Sequence, residues 1–254
     1  MANPFPLGVQ LWSVKNELSK DVDATLKAVA DTGFSVVETA GYDPGSRTIF
    51  GMPPKIFLDK LKHFDFNWVS AHIPAPVENI ERALDDFAIT GIKYLVASMY
   101  PDPGRTPDDY RRIAEQYNHI GLAAKASGIQ FGYHNHHFEF DALHGEKPFE
   151  ILLNNTDPEG VVFEMDMGWV VQSGNDPLEF IKKYPGRFPL WHLRDVDQNG
   201  QSVNAGEGVV DFHSVFQHKK EAGFIYGIIE TPSAAADGLE RVAACYKYFE
   251  KQQW

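Results

Sequence analysis

The sequence predicts an α/β fold closed into a (β/α)8 barrel. Eight short runs rich in β-branched and aromatic residues alternate with eight stretches of helical length. That alternation is the signature of repeated βαβ units and a parallel sheet. Eight such units in 254 residues suit a closed barrel better than an open doubly wound sheet. The polar residues of the runs also gather at their C-terminal ends and on one face, where a barrel of this kind opens its mouth.

In chain order, the strands are expected at 7–12, 35–39, 68–73, 94–99, 130–136, 161–170, 189–196 and 225–230. The helices are expected at 21–31, 54–63, 77–90, 107–127, 148–154, 177–184, 212–222 and 234–252. Pro54, Pro107, Pro148 and Pro177 stand at the helix starts, where the missing N–H has no partner to lose. Gly33, Gly91, Gly128 and Gly223, in TGF, TGI, SGI and AGF, read as C-terminal caps that lead into the next strand. No linker rich in Gly, Pro or Ser divides the chain, so residues 1–254 are read as one domain.

Alternate residues of a strand share a face. That rule groups Gln10 with Trp12, Ser70 with His72, His134 with His136, Glu164 with Asp166, His192 with Arg194, and Ile228 with Glu230, while Glu38 stands alone. A strand packed inside a barrel and covered by helices outside should be apolar throughout. Polar residues confined to its last inward positions therefore mark a candidate site. No GxGxxG or Walker loop follows the first strand, which weakens dinucleotide and nucleotide readings.

Composition narrows the function classes. A formal net charge of −12 argues against a nucleic-acid partner, because affinity for a phosphate backbone rests on Lys and Arg. The single cysteine, Cys245, lies in the apolar part of a late helix and reads as core. The N-terminal MANPFPLG lacks the features of a signal peptide, and no apolar run reaches spanning length. The expectation is a cytoplasmic protein with no membrane partner; its oligomeric state is left open.

The motifs VQLWS (9–13), SAHIP (70–74), YHNHHFEF (133–140), MDMGW (165–169), HLRD (192–195), GEGVVDF (206–212) and IIE (228–230) occur in this order along nearly the whole chain. Together they resemble the xylose isomerase-like TIM barrel superfamily. The likeness is to its sugar phosphate isomerase/epimerase branch, which includes inosose dehydratase-like and hydroxypyruvate isomerase-like proteins. The resemblance implies a divalent metal held at the mouth by residues of the fifth to eighth strands, usually Glu, Asp, His and Glu. Asp166, His192 and Glu230 match the last three. His134 stands where the first Glu is expected, since YHNH replaces the family's usual LENH. Imidazole is a good ligand for Mn, Co, Zn or Fe and suits Mg poorly, so Mn is the expected ion.

The substitution also bears on chemistry. The resemblance implies a sugar or keto-sugar isomerase or epimerase, with a keto-polyol dehydratase sharing the first step. Glu230 would abstract a proton alpha to a carbonyl, and His134 or His136 would return a proton or protonate a departing hydroxyl. Trp12, Glu38, His72, Glu139, Trp169 and Arg194 are the expected substrate-binding residues. The indoles would stack on a sugar face, and Arg194 would hold a substrate oxygen or pair with Glu164 one layer deeper. Glu207 reads as loop and Asp211 as the cap of the next helix. No Gly-rich nest follows the seventh or eighth strand, which favours an unphosphorylated sugar or polyol. Two other classes compete: a metal nuclease of the endonuclease IV type, opposed by the acidic charge, and a non-catalytic sugar-binding barrel.

Overall fold

A computed structural model describes residues 5–75, 80–99, 102, 104–232 and 237–252. Eight strands form a closed parallel barrel: β1 (Leu7–Gln10), β2 (Val36–Thr39), β3 (Asn67–Ala75), β4 (Tyr94–Met99), β5 (Gln130–His134), β6 (Val161–Asp166), β7 (Leu190–His192) and β8 (Tyr226–Ile229). Each strand pairs with its neighbours in sequence, and β8 closes onto β1. Registry sets Gln10 beside Glu38, His134 beside Glu164, and Asp166 beside His192. The expected polar positions therefore come to neighbouring points on one rim.

The core has two compartments. Outward-facing strand residues such as Val37, Leu95, Phe131, Phe163 and Trp191 pack under the helices in one continuous apolar layer. Tyr94, Val96, Leu190 and Ile228 fill the lower interior of the barrel as a separate cluster, with Val162 and Tyr226 against it. Above that plug, the interior becomes polar.

Several ends follow from local chemistry. Gly33 and Gly223 take left-handed conformations, φ 115° and 75°, at the C-caps of Val22–Thr32 and Lys219–Ala222, where a Cβ would be penalised. Thr106 and Asp109 form a reciprocal capping box on Pro107–Ala126. Cys245 is buried in Gly238–Lys251. Asp211 accepts from the Ser214 amide at 3.0 Å and caps Phe212–Gln217.

The structure also shortens several expected strands, among them 130–136, which ends at His134. The run 7–12 ends at Gln10, whose side chain caps a 3-10 turn, Leu11–Val14, that carries Trp12. The run 161–170 ends at Asp166, the N-cap of the helix Met167–Gln172. The run 189–196 stops at His192, and Asp195–Val196 pairs instead with Ser202–Val203 in an antiparallel ribbon on the rim. In the last three cases a capping carboxylate, amide or turn overrides β propensity. The expected helix 212–222 is broken at His218. Parts of the expected helices 77–90 and 234–252 lie outside the described residues; Ile80–Ala88 and Gly238–Lys251 are seen. Among the described residues, no helix is long and apolar enough to cross a membrane.

Candidate active site at the barrel mouth

The first polar layer above the apolar plug is an ion-pair network with no exposed surface at its centre. Glu38 and Glu164 are both fully buried. Glu38 accepts from Gln10 Nε2 at 2.8 Å and from the Ser70 hydroxyl, and lies 2.6 Å from His192 Nε2. Glu164 Oε2 lies 2.6 Å from His72 Nε2, 3.1 Å from His134 Nδ1 and 3.2 Å from His192 Nε2. Burial alone would raise both carboxyls, but the facing imidazoles hold Glu38 far below the carboxylate range and Glu164 below it. Burial opposes charge on the histidines too. Glu38 and Glu164 nevertheless push His72 up to about 10 and His192 well above its ordinary value.

The second layer opens to the mouth. His134, Asp166, His192 and Glu230 each offer one ligand atom, and these atoms lie within 4.8 Å of one another. Glu230 Oε2 is 2.9 Å from His192 Nδ1, and Asp166 Oδ2 is 3.8 Å from the same nitrogen. Arg194 bridges the two carboxylates, donating through Nε to Asp166 Oδ2 at 2.8 Å and through Nη2 to Glu230 Oε2. Burial would raise Glu230, but Arg194 and then His192 drive it far below the carboxylate range; burial dominates at Asp166, which is raised. His134 is driven well below its ordinary value, first by burial and then by the charge of His192. It is therefore a neutral imidazole whose Nδ1 faces Glu164, leaving Nε2 as the other donor.

This donor set fits a divalent cation. Two carboxylates and two imidazoles converge, and the rear nitrogens of both imidazoles are held by buried carboxylates, the arrangement that orients metal-binding histidines. A second group, His72, His134, Glu164 and His192, lies deeper and shares two of its members with the first. Its one carboxylate, Glu164, turns Oε2 to all three of its imidazoles, and it lies beneath the mouth, so it reads as the support of the upper group.

His136 sits beside this cluster without joining it. Burial lowers it to about 4, and its Nδ1 is buried with no hydrogen-bond partner among the described residues. Two cavities open at the mouth, of about 210 Å³ and 550 Å³, and His136, Trp12 and Glu230 line both. His72 and His134 line the smaller one, and Trp169 and Arg194 the larger. The Arg194 guanidinium stacks 4.7 Å from the Trp169 ring, and Lys15 sits 3.7 Å from that of Trp12.

Two expected substrate contacts are placed elsewhere. Glu38 lies beneath the mouth, turned to His192. Glu139 is fully buried behind β5, where it accepts from the Tyr133 hydroxyl and from the His136 amide at 2.9 Å. The 3-10 turn Phe138–Phe140 folds it back under the loop. Arg194, open between Glu164 and a substrate oxygen on sequence grounds, pairs with Asp166 and Glu230 because it lies past the end of β7, level with the upper layer.

Sequence reasoning missed the centrality of Glu164, which contacts three histidines at once. It also missed Gly168 of MDMGW: a Cβ there would fall 2.6 Å from Arg194 Cγ, so the arginine stem needs a glycine beneath it. Ser202 and Thr231, beside the larger cavity, carried no motif; orphaned polar atoms in the structure identify them.

The inosose dehydratase of Lacticaseibacillus casei is 28% identical over 238 residues, covering 77% of this chain and 79% of that protein. A sugar phosphate isomerase/epimerase from Parabacteroides distasonis ATCC 8503 superposes with a TM-score of 0.84 at 26% identity, covering 96% of this chain and 95% of the other. The IOLI protein solved with a zinc atom superposes at 0.73 with 13% identity, covering 97% of this chain and 95% of that one, a likeness of fold alone. The sequence pattern of the xylose isomerase-like TIM barrel matches residues 7–248, from β1 past β8, and the chain belongs to that family.

Proposed function

We propose that this chain is a divalent-metal-dependent enzyme that isomerises or epimerises a sugar or keto sugar by removing a proton alpha to a carbonyl. The observation that carries the reading is the convergence of His134, Asp166, His192 and Glu230, with the uncharged imidazole of His136 next to them. Those four residues would hold the ion, Mn ahead of Co, Zn or Fe, with Mg disfavoured by the two imidazoles. Bound there, it would supply Lewis-acid stabilisation of the negative charge that develops on the substrate's carbonyl oxygen.

Three side chains can move the proton: Glu230, His134 and His136. Glu230 is held ionised by Arg194 and His192 and is engaged by both. His134 is tied to Glu164. His136 is neutral at pH 7, lines both cavities and has an unspent nitrogen, so it is best placed to accept the proton and return it to the neighbouring carbon. Trp12 and Trp169 offer flat apolar faces to a sugar ring, and Arg194 a cation to its oxygens. A second reading, loss of water from a keto-polyol, shares the first step and sends the proton to the departing hydroxyl. The similarity to inosose dehydratase favours it.

The test is deuterium uptake from solvent into a panel of ketoses, 3-keto sugars and inososes, before and after chelation and with Mn restored. Exchange lost on chelation and recovered with Mn is the expected result. Full exchange in the chelated protein would overturn the metal requirement, and exchange into none of the panel would overturn the reaction class.

A further inference from the structure

Among the described residues the mouth opens into two adjoining cavities, and they meet at the proton-transfer group. The smaller, about 210 Å³, is walled by Tyr42, His72, Ile73, Pro74 and Ser98. It falls below the roughly 300–1,000 Å³ usual for a ligand of drug size and has room for little more than one six-carbon ring. The larger, about 550 Å³, opens on the other side of Trp12, His136 and Glu230, towards the ribbon that carries Ser202. A single free sugar in the smaller cavity would leave most of the mouth unfilled.

The larger cavity also holds unspent hydrogen-bonding capacity. Trp169 Nε1, Ser202 Oγ and Thr231 Oγ1, all from its wall, are buried and have no partner among the described residues. Buried polar groups are seldom left unpaired, because each forfeits its hydration. Gln172 and Gln201 add exposed amides to the same wall, and each amide offers both donors and an acceptor. A wall of indole, hydroxyl and amide groups matches the alternating apolar faces and hydroxyls of a sugar ring. It does not match an apolar tail, which would leave these groups unpaired.

We propose that the substrate is two-part: a keto-sugar ring in the smaller cavity, joined through a glycosidic oxygen to a second polyhydroxylated ring in the larger one. The linking bond then passes over His136 and Glu230. This rests on the proton-abstraction reading for where the reacting ring sits, whereas the two-ring fit rests on the cavities alone.

The experiment separates the two. Binding of glucose and of cellobiose, neither oxidised, is measured by saturation-transfer NMR and titration; deuterium uptake is measured in parallel on 3-ketoglucose and 3-ketocellobiose. The expected results are at least ten-fold tighter binding of cellobiose than of glucose, and at least ten-fold higher kcat/KM for the keto disaccharide. S202W, which fills the larger cavity, is expected to bring both ratios close to one. Q172A, an exposed change that spares the ribbon, is expected to lower cellobiose affinity several-fold. Equal binding of the two sugars, or ratios unmoved by both variants, would overturn the two-part substrate even if 3-ketoglucose exchanges well. Preferential binding of cellobiose without exchange into either keto sugar would support the second ring and count against the proposed reaction.

Discussion

At the residue scale, the site depends on how burial and charge divide labour among chemically similar side chains. Glu38 and Glu164 favour the charged forms of His72 and His192, so a cation would have to displace the proton from His192 Nδ1; burial first keeps His134 and His136 neutral. Only a neutral imidazole can accept a proton, so His136→Gln is expected to lower solvent exchange by about 100-fold or more. Thermal stability and metal uptake should be unchanged, since His136 ligates nothing in the cluster. An exchange rate within a few-fold of the parent would remove His136 from the proton path.

Glu139 makes a separate prediction because it stabilises the loop and not the chemistry. Burial raises its carboxyl from 4.5 to about 7, against the opposing hydrogen bonds from Tyr133 and the His136 amide. The folded state thus prefers the protonated acid. The associated stability is fully present below the unfolded value near 4.5 and is lost as the pH rises through about 7. Glu139→Gln should abolish this dependence. Relative to the parent, it should gain on the order of 3 kcal/mol between pH 4 and pH 8, read by denaturant unfolding at several pH values. A constant difference across that range would refute the assignment.

At the scale of elements, the short helix Met167–Gln172 links two parts of the site. Asp166 caps it, with Oδ1 accepting from the Trp169 amide at 2.9 Å, while its Oδ2 faces Arg194. One carboxylate therefore fixes the start of a helix and presents a ligand atom to the mouth. Gly168, in the first turn, leaves room for the arginine stem. Gly168→Ala is expected to displace Arg194 and destabilise the fold by about 1–3 kcal/mol. The displaced guanidinium would release Asp166 and Glu230, which should shift metal affinity together with stability. Isothermal titration with Mn beside a denaturant series would detect both; an unchanged pair of values would show that the turn accommodates the methyl.

The loop after β7 is secured in a comparable way. Asp195 accepts from the amides of Val196, Gly206, Gly208 and Val210 at 2.8–3.1 Å, pinning the GEG segment to the ribbon edge. This gives the larger cavity a firm wall. Glu207 is left exposed on the outside of that turn, consistent with a loop residue.

For the whole molecule, the barrel separates stability from chemistry along its axis. The lower interior is apolar, the middle layer is a buried network that neutralises itself, and the top layer faces solvent through two cavities. A cation bound at the top interacts only with the folded arrangement, because Asp166, His192 and Glu230 come from three strands and His134 from a fourth. Mn at 100 times its dissociation constant should therefore stabilise the fold by about 2.7 kcal/mol. The check is a rise in Tm with Mn that EDTA reverses and that Asp166→Asn removes. No shift with Mn would argue that the four residues serve only as an ion-pair cluster.

The sequence by itself determined the barrel and most of the rim. Strand–helix alternation and the two-residue period suffice to place Asp166 and His192 at strand ends and Glu230 next to one, because both are local properties of the chain; Arg194 falls beyond the strand expected to hold it. It also determined that an imidazole, His134, stands where a carboxylate was expected. Tertiary structure decided what each group faces. Glu38 and Glu139 carry the same side chain and both lie in β-rich segments near the mouth. One ends under His192 and the other behind β5, a difference set by closure of the barrel and by a single turn of 3-10 helix. The charge states of the histidines, the pairing of Arg194 with Asp166 and Glu230, and the division of the mouth into two cavities likewise depend on distances between strands far apart in sequence. A periodicity fixes which face a residue occupies; only the closed sheet fixes its neighbours across the axis, and those neighbours set its charge.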